Sequence, residues 1–127
     1  MAKKKILVID DEKNFTQLVK LNLEETDKYE VKTENKGAQG LNAARVFQPD
    51  LILLDIVMPD MEGSDVAFQI KSDAQTRHIP IVFLTAIMRK EESDSLGGIK
   101  VGETYCAALA KPVNIEELIA CIEKNTA

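Results

Sequence analysis

The chain has few cysteines, no long apolar run and no excess of positive charge, and each absence excludes a class of protein. Cys106 and Cys121 are too few for a disulfide framework or a zinc site, and their apolar neighbours indicate small core residues. Apolar stretches span only a handful of residues, far short of the ~20 that a transmembrane helix needs. With 16 Lys+Arg against 21 Asp+Glu, the formal net charge of -5 argues against direct contact with nucleic acid.

Length and composition indicate one globular domain. The 127 residues suffice for a domain with a full core and are too few for two, and no linker, repeat or low-complexity tract is present. Three lysines near the start run straight into an apolar segment, so the h-region of a signal peptide is missing and we expect a cytoplasmic protein with no membrane contact. We therefore expect a single domain over residues 1–127.

Apolar runs bounded by acidic, glycine or proline residues predict five strands, at 5–9, 29–33, 51–54, 79–84 and 105–110. Segments with helical spacing alternate with these strands, at 15–23, 41–47, 66–70 and 115–122. The run at 51–54 lacks polar alternation, which is typical of strands covered on both faces. The alternation predicts an α/β fold, a doubly wound parallel sheet with right-handed crossovers.

The stretch between residues 89 and 104 fits this pattern least well. A short helix fits 90–96, but Gly97, Gly98 and Gly102 interrupt the residues after it. Between these glycines we expect an extended segment at Ile99–Val101 that precedes the last strand.

Polar residues follow four of the predicted strands. Asp10 and Asp11 follow the first, Asp55 the third, Thr85 the fourth, and Lys111 the fifth. Any one of them could be an ordinary helix cap or turn residue. In an open parallel sheet, however, the carboxyl ends of the strands share one edge, where ligands bind. We therefore expect three carboxylates, a hydroxyl and an ammonium group to converge there.

This set of groups suits metal-assisted phosphoryl transfer. Asp10, Asp11 and Asp55 would lie close together, and like charges at that separation require a cation. Carboxylate oxygens without nearby His or Cys select a hard ion, and octahedral Mg²⁺ fits best. One aspartate could act as a nucleophile while a lysine and a hydroxyl hold the phosphoryl oxygens. Asp55, Lys111 and Thr85 fit these three roles.

Four segments carry a family resemblance, at 6–12, 50–63, 79–86 and 111–112. Each is weak alone, but the four in this order and spacing are highly specific and cover nearly the whole chain. The sequence resembles the receiver domains of two-component response regulators. This resemblance implies a flavodoxin-like fold, with five parallel strands in the order 2-1-3-4-5 and five helices.

The resemblance also implies roles for individual residues. Asp55 would be the phosphoacceptor, and Asp11, Asp55 and the backbone carbonyl of Val57 would ligate Mg²⁺, with Asp10 holding the ion through water. By the same resemblance, Thr85 would bond the phosphoryl group and Lys111 would pair with it. The peptide bond between Lys111 and the following proline is commonly cis in the family.

The implied function is that of a signalling switch rather than an enzyme. A receiver takes its phosphoryl group from the phosphohistidine of a histidine kinase or phosphotransfer protein, and then changes its affinity for an output partner. It catalyses only its own phosphorylation and slow dephosphorylation. The resemblance further implies a monomer, or a weak dimer formed through the last helix–strand–helix face.

Two departures from the family pattern affect signalling rather than chemistry. Ala108 stands where relatives carry a Tyr or Phe that reports phosphorylation, and Tyr105 could replace that aromatic residue only if a bulge intervened. Thr85 and Lys111 are 26 positions apart, a few more than usual, which predicts an insertion in the glycine-rich stretch.

Several alternatives use the same fold or chemistry. A phosphatase of the haloacid dehalogenase kind needs a second aspartate two residues after the nucleophile, where this chain has Val57. A nucleotide-binding module needs glycines after the first strand, where Asp10 and Asp11 stand instead. A phosphorylation-independent interaction domain tends to lose the acidic set. His78 lacks a charge partner or motif in the sequence, which favours a surface role over phosphoryl transfer.

Overall fold

Six strands form a single sheet in the structure, a computed structural model that describes residues 3–85, 99–101, 104–110 and 114–126. In chain order they are β1 (Lys4–Ile9), β2 (Tyr29–Glu34), β3 (Leu51–Asp55), β4 (Ile81–Thr85), β5 (Ile99–Val101) and β6 (Thr104–Ala110). Their spatial order is β2-β1-β3-β4-β6-β5, and all neighbours except the last pair are parallel. The five parallel strands therefore have the predicted order 2-1-3-4-5, which confirms the fold class.

The additional strand is the extended segment expected at Ile99–Val101. It pairs antiparallel with β6, from Ile99 opposite Cys106 to Val101 opposite Thr104. The sheet thus has one strand more than the five implied by the resemblance. Glycines on both sides of this segment in the sequence suit a tight reversal into β6, and the strand takes up part of the long interval after β4.

Within the described residues four α-helices surround the sheet, and apolar spacing in the sequence predicts all four. They are α1 (Lys13–Glu25), α2 (Gly40–Phe47), α3 (Gly63–Ser72) and α4 (Ile115–Thr126), and a 3-10 turn at Gly37–Gln39 precedes α2. The short helix expected at 90–96 lies outside the described residues. Among the described helices, none has the length and apolar character needed to cross a bilayer.

Both faces of the sheet are buried, and successive residues of each central strand enter different cores. One core packs strand residues against α2 and α3, and includes Leu7, Ile9, Ile52, Leu54, Ile81 and Phe83. The other lies against α1 and α4, and includes Ile6, Val8, Leu51, Leu53, Val82 and Leu84. This double covering explains why the sequences of these strands are continuous apolar runs.

Local chemistry decides where several elements begin and end. β4 begins at Ile81 rather than at the predicted residue 79, because Pro80 has no N–H to donate to the sheet. The carbonyl of Pro80 still accepts the N–H of Ile52 at 3.0 Å. At the start of α4, the side chain of Asn114 accepts the N–H of Glu117 at 2.7 Å, which caps the helix.

Candidate functional site

Asp10, Asp11 and Asp55 meet at the carboxyl edge of the sheet. β1 and β3 pair in parallel with Ile9 opposite Leu54, so the next residues, Asp10 and Asp55, also lie side by side. Both aspartates are buried, at 1% and 7% exposure, whereas Asp11 is exposed. One carboxylate oxygen from each of the three lies within 4.8 Å of those from the other two. The predicted convergence of carboxylates is thus present.

The donor set of this cluster fits a hard divalent cation. Three carboxylates offer oxygen ligands only, which favours Mg²⁺ or Ca²⁺ over zinc or copper. When ionised at this separation, the carboxylates repel one another, and a bound cation offsets that repulsion. With three protein ligands, water and a phosphoryl oxygen would occupy the other positions of an octahedral Mg²⁺ ion.

The turn after β1 sets the direction of Asp11. The N–H of Asp10 donates to the carbonyl of Glu34 at 3.1 Å, which extends the pairing between β1 and β2 by one residue. One carboxylate oxygen of Asp10 then accepts the N–H of Glu12 at 3.0 Å. This bond is an Asx-type turn that leads the chain into α1 at Lys13 and leaves Asp11 at its exposed corner.

The loop between β3 and α3 is held close to Asp55. The N–H of Gly63 donates to the carbonyl of Ile56 at 2.6 Å, which closes the loop into a compact turn. Met58 points into the core at 5% exposure, whereas Val57 is 58% exposed. Val57, expected to offer its backbone carbonyl to the metal, therefore lies in a loop that is anchored on both sides.

Asp60 fastens the same loop to the start of the 3-10 turn. Its carboxylate accepts the N–H groups of Gly37 at 3.1 Å and Ala38 at 3.0 Å. These two hydrogen bonds, the one from Ala38 foremost, hold the pKa of the Asp60 carboxyl below its usual value. The negative charge also lies near the N-terminal end of a helical segment, where the backbone N–H groups favour an anion.

Thr85 is the last residue of β4, and Ala110, the last of β6, lies opposite it. Leu84 lies opposite Asp55, so the backbone of Thr85 is at the same edge of the sheet as the three carboxylates. The side chain of Thr85, together with all of Lys111 and Pro112, lies outside the described residues. Their roles and the cis peptide bond remain predictions.

Ala108 is buried at 9% exposure and lies opposite Phe83 in the core that faces α2 and α3. β6 pairs with β4 over 107–110 and with β5 over 104–106. In both ladders each residue lies opposite a single residue of the neighbouring strand. These ladders do not supply the bulge that Tyr105 would need in order to replace the aromatic residue at position 108. The expectation about the switch stays a prediction.

Two residues set apart from the site behave as ordinary structural residues. His78 is exposed in the turn before Ile79, as expected of a surface residue. Cys121 is half-buried and packs against the core beside α1 and α4, and burial raises the pKa of its thiol. The side chain of Cys106 lies outside the described residues.

Sequence reasoning missed Asn35 and Thr16, which lie beside the carboxylates. The amide Nδ2 of Asn35 donates to the carbonyl of Asp10 at 2.8 Å and to the hydroxyl oxygen of Thr16 at 3.1 Å. A signal was present, because Asn35 follows β2 and so lies at the same carboxyl edge as the other strand ends. The rule that singles out polar residues at strand ends applies to β2 as well.

Comparison with known proteins gives a consistent family. Residues 6–123 match the family model of the response regulator receiver domain. The DNA-binding dual master transcriptional regulator RpaA of Synechocystis is 36% identical over 117 residues, which cover 91% of this chain and 46% of RpaA. The chain therefore spans about half the length of this relative. The polar-differentiation response regulator DivK of Brucella ovis is 30% identical over 121 residues, which cover 94% of each chain.

Solved structures agree with the sequence comparison. The chemotaxis protein CheY4 of Vibrio cholerae superimposes with a TM-score of 0.82 at 30% identity, covering 97% of this chain and 98% of CheY4. Family model, relatives and fold agree over almost the same residues. The chain belongs to the response regulator receiver domains of two-component systems.

Proposed function

We propose that this chain is a cytoplasmic phosphoacceptor domain, in which Asp55 accepts a phosphoryl group from a phosphohistidine in the presence of Mg²⁺. The observation that carries the proposal is the group of three carboxylates, with oxygens within 4.8 Å of one another, at the carboxyl edge of the sheet. The donor would be a histidine kinase or a phosphotransfer protein. Residues 1–127 would act as one receiver domain, which agrees with a family match over residues 6–123.

In this proposal Asp55 serves both as a Mg²⁺ ligand and as the nucleophile. Asp11, Asp55 and the backbone carbonyl of Val57 would hold Mg²⁺ directly, and Asp10 would hold it through water. When bound, Mg²⁺ neutralises charge on the carboxylates and on the incoming phosphoryl oxygens. The grouping of one oxygen from each of Asp10, Asp11 and Asp55 within 4.8 Å supports a shared ion, and the exposure of Asp11 leaves its carboxylate accessible from solvent.

The transfer itself requires one bond to form as another breaks. A carboxylate oxygen of Asp55 would bond to phosphorus while the bond between phosphorus and the donor's imidazole nitrogen breaks, and its electron pair returns to the imidazole. Thr85 would donate its hydroxyl to a phosphoryl oxygen, and Lys111 would pair its ammonium group with another. The backbone register supports the role of Thr85, because this residue ends β4 one residue beyond the level of Asp55.

Phosphorylation would change the affinity of one face for an output partner. The last helix–strand–helix face is the proposed surface, used either by that partner or by a second copy in a weak dimer. With Ala108 in place of an aromatic residue, the signal would not pass through rotation of a ring at that position. A net charge of -5 supports a protein rather than a nucleic acid as the direct partner.

Labelling with radioactive acetyl phosphate in the presence of Mg²⁺ tests the proposal. Asp55→Asn should abolish the label, because the neutral amide oxygen of asparagine is a much weaker nucleophile than a carboxylate oxygen. Asp65→Asn is the matched control, since Asp65 is an aspartate in the first turn of α3 outside the carboxylate cluster, and this variant should label like the parent. Full labelling of Asp55→Asn would refute the assignment.

Lys111→Ala separates the two binding functions of the site. This variant should bind Mg²⁺ as the parent does, measured by isothermal titration calorimetry, but its conformational response to a phosphoryl mimic should be impaired. Loss of Mg²⁺ affinity in Lys111→Ala would contradict the role of Lys111 as a partner of the phosphoryl group.

A further inference from the structure

Asn35 connects three elements through its side-chain amide. It directly follows β2, and its Nδ2 donates to the carbonyl of Asp10 at 2.8 Å and to the hydroxyl oxygen of Thr16 at 3.1 Å. These two bonds use both hydrogens of the amide group. A single half-buried side chain therefore joins the end of β2, the residue after β1 and the first turn of α1.

Thr16 fixes the direction of this hydrogen-bond chain. Its side chain is fully buried, at 0% exposure, and its hydroxyl donates to the carbonyl of Lys13 at 3.0 Å. A hydroxyl has one hydrogen to donate, so its oxygen is left to accept from Asn35. The donors therefore run from Asn35 to Thr16, and from Thr16 to Lys13.

The main chain of Asp10 is held from two sides by β2 and the residue after it. Its N–H donates to Glu34, and its carbonyl accepts from Asn35. Asp11 follows at the exposed corner of the turn that Glu12 closes. The shape of this turn determines how close the exposed carboxylate of Asp11 stays to the two buried carboxylates.

We propose that Asn35 is a positioning residue for the Mg²⁺ site, acting through Thr16 and the main chain of Asp10; this inference rests on the proposed function. Asn35 orders the turn before the ion arrives, so the binding free energy is not reduced by the cost of ordering Asp11. A neutral amide suits this position, since a second ammonium would compete with the cation and a further carboxylate would add repulsion.

Asn35→Leu removes both donors at similar volume. Its Mg²⁺ dissociation constant, measured by calorimetry without a phosphodonor, should rise about tenfold, the lower end of the effect typical of outer partners of metal ligands. Thr76→Val is the control for loss of stability, because Thr76, like Thr16, is fully buried and its hydroxyl donates to a backbone carbonyl, that of Ile70, at 2.7 Å. Thr76 lies in the connection after α3, and its variant should lose stability without losing Mg²⁺ affinity.

A pair of variants at Thr16 tests the same network without touching Asn35. Thr16→Val removes the hydroxyl and should weaken Mg²⁺ binding several-fold, whereas Thr16→Ser keeps the hydroxyl and loses only a methyl group, so it should bind Mg²⁺ like the parent. If Asn35 and Thr16 only stabilised the fold, the loss of Mg²⁺ affinity in each variant would follow its loss of unfolding free energy. This pair also decides the question if Asn35→Leu fails to fold.

The outcomes separate this inference from the proposed function. If the parent binds Mg²⁺ and both Asn35→Leu and Thr16→Val bind it with the same affinity, the role of Asn35 is overturned. The phosphoacceptor proposal would still stand. An equal loss of affinity in Thr76→Val would also overturn it. Absence of Mg²⁺ binding in the parent, or labelling of Asp55→Asn, would refute the proposed function itself.

Discussion

Gly63 lies directly against the main chain of Asp55, and the space there admits only a hydrogen atom. A Cβ at position 63 would lie 2.8 Å from the Cα of Ile56 and closer still to the carbonyl oxygen of Asp55. The first turn of α3 thus rests on the end of the strand that carries Asp55. The position of the helix and that of the candidate nucleophile are therefore coupled through the backbone.

Gly63→Ala should lower the free energy of unfolding by about 1–3 kcal/mol, because a contact with main-chain atoms cannot be relieved by rotating a side chain. Urea unfolding followed by circular dichroism measures the change. Gly37→Ala is the control, since a Cβ there would meet side-chain atoms of Met61, Val66 and Met58 at 3.1, 3.1 and 3.2 Å. Equal losses in the two variants would contradict the importance of the backbone contact.

Asp60→Asn should destabilise the domain near neutral pH and have less effect in acid. Hydrogen bonds from Ala38 and Gly37 lower the pKa of Asp60 in the folded state. The stabilisation from its ionised form is therefore fully present above the unfolded value, about 3.9 for aspartate, and is lost as the pH falls through the lowered folded value.

Urea unfolding at several pH values from about 7 to about 3 measures the difference between Asp60→Asn and the parent. Glu30→Gln, at an exposed carboxylate of β2, controls for the loss of one negative charge. A difference that stays constant, or grows, as the pH falls would show that Asp60 does not act through its ionised form.

Tyr29→Phe should cost about 1 kcal/mol of unfolding free energy, the usual value for one hydrogen bond. The Tyr29 hydroxyl donates to Glu123 at 2.5 Å, and this bond is the main reason why the pKa of the Glu123 carboxyl is lowered. Lys4 pairs with the same carboxylate at 3.3 Å. The three side chains join β2, α4 and β1 at the end of the sheet opposite to Asp55.

A double-mutant cycle with Glu123→Gln separates the hydrogen bond from other effects of Tyr29→Phe. The two losses should be less than additive, because each single variant already removes the charged hydrogen bond. Strict additivity would mean that the Tyr29 hydroxyl and the Glu123 carboxylate contribute independently. Mg²⁺ affinity should be unchanged in all these variants, since Tyr29 and Glu123 lie at the end of the sheet opposite to Asp10, Asp11 and Asp55.

The strands and four helices could be predicted because their apolar pattern is set by burial on both faces of the sheet. The run at 51–54 is fully buried, with two residues in each core, so its apolar residues alone are enough to predict a strand. The apolar pattern predicts the start of β4 two residues too early, because Ile79 is apolar and buried although it precedes the strand. Burial and strand pairing are separate properties, and the apolar pattern of a sequence indicates burial but not pairing.

The three carboxylates could be predicted because residues at the carboxyl ends of parallel strands share one edge. Asn35 occupies the same edge, but its contribution passes through a backbone carbonyl and a threonine hydroxyl. Its place directly after β2 marks Asn35 as an edge residue, but no spacing or charge pattern in the sequence shows that a neutral amide there bonds the main chain of Asp10. The contact between Gly63 and Asp55 likewise depends on how closely two backbones approach, which residue types alone do not specify.

The short strand β5 also has a consequence for association between copies of this chain. It pairs with residues 104–106 of β6, whereas residues 107–110 of β6 pair with β4, so within the described residues the rim on that side is divided between β5 and the end of β6. A long, flat rim is a template on which a second polypeptide can add a strand, whereas a very short one offers few main-chain groups to extend. Neither described part of this rim is longer than four residues, so joining of two sheets into one continuous sheet is disfavoured there, and self-association would depend on side-chain surfaces.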